Sequence, residues 1–171
     1  MRRILAALPL IVLATMAHAA GKWITFPDPD GAFNVSVPSQ PTVSADSVDN
    51  TDGNKVAMTE YTIDHDTSAL MVIVSDLTRY PNADPVTVLN GAANGAKGSA
   101  AQVLSDAPST RDGLSGREVR MVDKDGNFIQ DEIYFFDHKL YQIMYVLPAK
   151  PTAEQSADAK HFSRGFHFII H

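Results

Sequence analysis

The chain contains no cysteine. That excludes disulfides, thiol nucleophiles, thiolate metal ligands and a lipid anchor on an N-terminal cysteine. Export is not excluded, because a domain of this size can stand on its hydrophobic core alone. Positive charge is scarce too: 14 lysines and arginines face 20 aspartates and glutamates, a formal charge of −6. Such a surface repels nucleic acid and anionic lipid headgroups. After the first twenty residues no apolar run reaches the roughly 20 residues that a spanning helix needs. Catalytic motifs are missing as well. There is no G-x-S-x-G elbow to present a serine nucleophile, and no Gly-Lys-Ser/Thr follows the glycines of residues 91–98 to cradle phosphate.

What is present begins with a leader. Arg2 and Arg3 form a positive start, residues 4–16 an apolar stretch, and Ala17-His18-Ala19 a small-x-small cleavage site. Residues 1–19 are therefore read as a signal peptide of the general secretory route, and 20–171 as a single domain. Loss of two arginines takes the mature charge from −6 to −8. A soluble periplasmic or secreted protein follows, with the periplasm favoured.

The rest of the chain alternates between strands and turns. Trp23 opens a short strand, Asp28-Pro29-Asp30-Gly31 turns it, and Phe33, Val35 and Val37 alternate with polar residues. Pro38 and Pro41 then stop the hairpin, since proline has no donor for a ladder. Residues 44–54 are polar and read as a loop. Strands are expected over 55–64 and 69–77, the second apolar on both faces and so central. Asp84-Pro85 starts a helix as N-cap and first-turn proline. Gly91, Gly95 and Gly98 fall inside it on one side, where a backbone can lie close on a sheet.

Three further strands are expected at 116–122, 128–136 and 140–147. Thr152 with Gln155 is a capping box for a last helix, and residues 166–170 suggest a terminal strand. The order predicts an α+β fold: an antiparallel sheet of about six strands sandwiched with two main helices, plus an N-terminal hairpin. The prolines would keep that hairpin short and unable to recruit other strands.

Certain residues invite a chemical reading. Asp123-Lys124-Asp125-Gly126-Asn127 is a hairpin turn, because a calcium loop needs glycine sixth and glutamate twelfth. His161, His167 and His171 are spaced too widely for one ion. Asp64-His65-Asp66 and Asp137-His138 each pair an acid with a histidine, which can orient a general base. Both fall where turns are expected, and turns favour aspartate anyway. Trp23, Tyr61, Tyr80 and Tyr141 are the candidate partner-binding residues, since Tyr and Trp are enriched at interfaces.

The segments "DGAFNVSVPSQP" after Trp23, "DGLSGREVRM", "IYFFDHKLYQIMYVLP" and the closing "HFSRGFHF" together resemble the PsbP-like superfold of small exported bacterial proteins. The likeness runs from about Trp23 to Ile170, with a departure at Arg164-Gly165. It implies an antiparallel sheet between helices, and a binding or accessory role. The expectation is therefore a non-catalytic exported binding or accessory protein, with no cofactor and no metal. Its partner would be a periplasmic or envelope protein, not nucleic acid, and it would not insert stably in a membrane. The alternative is a periplasmic hydrolase or metal-binding protein that uses the Asp-His turns.

Overall fold

The computed structural model describes residues 22–49, 54–65 and 68–170. The expected signal peptide, Asp66 and His171 lie outside these residues, as does the side chain of His65.

Strands β1 (Ile24–Pro27) and β2 (Phe33–Val37) form the expected hairpin. They are followed by β3 (Thr42–Asp49), β4 (Lys55–His65) and β5 (Ser68–Asp76). Helix α1 (Pro85–Gly98) separates these from β6 (Gln102–Arg111), β7 (Leu114–Val122), β8 (Phe128–Phe136) and β9 (Lys139–Leu147). Helix α2 (Ala153–Arg164) and the two-residue β10 (His167–Phe168) close the chain.

Strand takes 53% of the described residues and helix 18%, so the fold is β-rich. This corrects the expected α+β sandwich with about six strands. The main sheet has seven strands in the order β3-β4-β5-β9-β8-β7-β6, every neighbour antiparallel. A second sheet runs β1-β2-β10. Two strands account for the difference. The loop expected over 44–54 overlaps most of β3, whose eight residues are all exposed and show no apolar period. Backbone pairing with β4, from Thr42↔Thr62 to Asp49↔Lys55, makes it a strand. Strand β6 escaped because it is polar and holds Pro108, which an edge strand tolerates. A register shift between Val103 and Ser105 interrupts it further.

The two faces of the main sheet are covered differently. Leu89 and Ala93 of α1 pack on Val119, Met121 and Ile133 from β7 and β8. On the other face α2 and the small sheet lie over β5 and β9, and Phe33, Tyr141, Ile143, Phe162 and Phe166 meet there. The helical glycines do not touch the sheet: a Cβ at Gly91, Gly95 or Gly98 would meet nothing within 4 Å. They lie away from the buried Leu89–Ala93 stripe. Close approach occurs instead at Gly116, where a Cβ would stand 2.4 Å from the Tyr134 ring and from the Ile133 carbonyl.

A buried polar cluster fixes α2 to the sheet. Arg111 donates to Glu132 at 2.6 Å and to the carbonyls of Ser163 at 2.7 Å and Phe166 at 2.8 Å, closing the C-terminal end of the helix. Ser163 and Tyr134 also donate to Glu132, at 2.5 and 3.1 Å. Gln130 adds a fourth donor at 3.3 Å, so donors from two strands and a helix converge on Glu132 and hold its charge and geometry in place.

Candidate functional cleft

The β1–β2 turn is built by Asp28. Its carboxylate accepts from the Ala32 N–H at 3.0 Å, its carbonyl accepts from Gly31, and Gly31 supplies the positive φ of 76° that the turn requires. The other carboxylate oxygen accepts from the Tyr61 hydroxyl at 3.0 Å, so Asp28 is buried although it sits in a turn. Two residues on, Asp30 accepts from Lys139 at 2.8 Å. This ion pair ties the small sheet to the first residue of β9. It is partly exposed, so its worth is modest, about 1 kcal/mol or less.

Two cavities open on either side of that ion pair. One, of 130 Å³, is lined by Asp28, Tyr61, Val74, Asp76 and the pair itself. The other, of 260 Å³, is lined by Ala32, Phe136, Asp137, Tyr141 and Ile169 with the same pair. Tyr141 is 1% exposed, yet its hydroxyl has no hydrogen-bond partner among the described residues. A buried orphan hydroxyl costs about 1–3 kcal/mol, so it calls for an explanation.

The field in the cleft is negative. Burial pushes the Tyr141 hydroxyl well above its ordinary pKa, and the Asp28, Asp137 and Asp30 carboxylates push the same way. Burial also raises Tyr61, again with Asp28 adding to it. Both phenols are therefore neutral donors or acceptors at any physiological pH. Lys139 is raised chiefly by its bond to Asp30, and Asp76 is lowered chiefly by the Thr78 hydroxyl, so both are charged.

The four aromatic candidates separate. Tyr61 and Tyr141 come together here, flanking Phe33 with ring centroids 5.8 and 6.2 Å from it. Being buried, they offer no exposed aromatic face. Trp23 stacks on His161 at 4.1 Å, at an open hollow that Lys160 and Arg164 also line. Tyr80 lines a hollow of 590 Å³ before α1. That hollow is larger than the cleft, but no orphan polar group is identified among its lining residues.

The histidines also separate. Asp137-His138 is the two-residue β8–β9 turn, with φ of 47° and 56° at its two positions. Asp64 pairs with Ala69, while Lys139 pairs with Asp76. Seven residues of β5 therefore separate the two Asp-His pairs, about 23 Å at roughly 3.3 Å per residue. Of Asp64, Asp137 and His138, only Asp137 lines the cleft. His167 approaches Asp112 at 3.4 Å, whereas His161 stacks on Trp23 and meets the Ser36 hydroxyl. Asp123 folds its carboxylate onto Asp125 and Asn127, as a turn aspartate does. Among the described residues no three of His, Cys, Asp or Glu are disposed to hold a metal ion.

The sequence reads Asp28 and Asp30 as turn formers and Lys139 as the end of the turn that Asp137 and His138 begin. No local signal could have joined them, since 109 positions separate Asp30 from Lys139. No family model matches the chain, and no curated protein matches it.

Proposed function

We propose that the protein is a non-catalytic exported binding or accessory protein, and that the cleft between its two sheets is the binding element. The observation that carries this reading is the buried Tyr141 hydroxyl, unpartnered beside a 260 Å³ cavity. Binding sites set a few polar groups among apolar walls, and Phe136, Ala32 and Ile169 supply such walls here. Catalysis asks for more: a base, its orienting partner and a substrate within hydrogen-bond reach. The distance between the two Asp-His pairs supports a binding reading over the hydrolase alternative. No helix of the described residues is long and apolar enough to cross a membrane.

Two measurements test this. The exported protein should have the intact mass of residues 20–171, and a retained leader would refute soluble export. A set of small fragments of mixed charge should shift the amide signals of Gly31, Asp137 and Ile169 more often than those of any other region. Fragments that gather elsewhere and leave these amides unmoved would refute the cleft as the binding element.

A further inference from the structure

The cleft has a definite charge preference. Its one cation, Lys139, is held by Asp30 at 2.8 Å. Both carboxylate oxygens of Asp28 are occupied, by the Ala32 N–H and the Tyr61 hydroxyl. The carboxylate of Asp137 is different: no ion pair among the described residues takes it up. It stands at the mouth of the same cavity that Tyr141 lines from within. The carboxylates that act on the Tyr141 oxygen are Asp28, Asp137 and Asp30, all negative. An anion placed beside that oxygen would be repelled, and a neutral group would gain one hydrogen bond. A cation would gain the hydrogen bond and the field together.

The remaining walls set the shape of the ligand. Phe136, Ala32 and Ile169 give one apolar side, and 260 Å³ is room for roughly nine water-sized groups at about 30 Å³ each. We infer that the cleft takes a small primary ammonium compound with a short apolar stem, its ammonium donating to the Tyr141 oxygen and facing the Asp137 carboxylate. This rests on the cleft being the binding element. The stem lies against Phe136 and Ile169, where it displaces water from apolar surface.

The test is an amide-correlation titration of the isotope-labelled mature protein with n-butylammonium, butyrate and 1-butanol at one ionic strength. Butylammonium should shift Gly31, Asp137 and Ile169 saturably, with butanol and butyrate about tenfold weaker or more, the usual worth of a charge-assisted hydrogen bond. Asp137→Asn should weaken butylammonium by about tenfold and leave butanol unchanged; asparagine tolerates the positive φ, so the turn survives. Tyr141→Phe should weaken both amine and alcohol, and where that variant folds poorly the Asp137→Asn result still decides. Equal affinity for butanol and butylammonium, or an indifferent Asp137→Asn, would overturn the cationic assignment and leave the cleft as a binding site. Saturable shifts with none of the three would overturn the inference outright, and the hydroxyl would then be merely hydrated. If mixed fragments also leave these amides unmoved, the binding reading falls with it.

Discussion

Replacing Asp131 with asparagine should stabilise the protein, and only above a definite pH. Asp131 lies in β8 on the α1 side of the sheet, 1% exposed. One oxygen accepts from Gln142 at 2.7 Å, and the other has no partner among the described residues. Burial raises its pKa from 3.8 to about 6, opposed by the Gln142 bond and helped by the neighbouring Glu132. Between those two values the folded protein keeps a proton that the unfolded chain has released. Stability therefore falls as pH rises through this window and levels off above about 6. At about 1.4 kcal/mol per tenfold, the full penalty is about 3 kcal/mol.

Asparagine has nearly the same shape and never ionises, so it removes that penalty. Its amide nitrogen faces the side where Asp131 has no partner, which costs a constant amount at every pH. The informative quantity is therefore the pH-dependent part of the difference, not its absolute size. Urea unfolding at pH 4 and pH 8 should give variant-minus-wild-type stabilities that differ by about 2.4 kcal/mol, because at pH 4 the unfolded carboxyl has already begun to ionise. In thermal unfolding the same gap amounts to about 5–10 °C. The sole tryptophan, Trp23, stacks on His161 and reports the unfolding. A difference that is the same at both pH values would refute the reasoning, since Asp131 would then be ionised without cost.

Gly95→Ala should raise the urea midpoint, by a few tenths to about 1 kcal/mol, because the position is open and helical. An unchanged or lower midpoint would mean that this side of α1 is covered. Gly116→Ala should do the opposite and cost several kcal/mol, as a Cβ at 2.4 Å from the Tyr134 ring forces ring and strand apart; wild-type stability would show that Tyr134 can move freely. Glu132→Ala leaves the guanidinium of Arg111 buried and uncompensated and should cost about 3–5 kcal/mol. Glu132→Gln, which keeps an acceptor, should cost less, and equal losses would argue against a charge effect.

Much of the fold was legible where one residue's surroundings are set by its neighbours in sequence. Apolar alternation placed β2 and β8, and a run nearly apolar on both faces placed β9. The caps placed both helices, with Asp84 accepting from the Thr87 N–H and Thr152 and Gln155 closing their box. The Asp137-His138 turn was legible for the same reason. The helical glycines were misread because spacing gives a side of a helix but not what lies opposite it.

The sequence by itself determined the periodicity of the core strands, the helix ends, the turns and the absence of thiol chemistry, since these depend on residues a few positions apart. Only the tertiary structure decided that β3 and β6 are strands. Their side chains carry little apolar pattern, and their ladders are made by backbone groups that every sequence has. Only it gathered Asp28, Asp30, Tyr61, Lys139 and Tyr141 into one cleft. Each of these residues is ordinary in its own turn or strand. Their joint chemistry arises from packing the small sheet onto the large one, which buries a hydroxyl among carboxylates from distant parts of the chain.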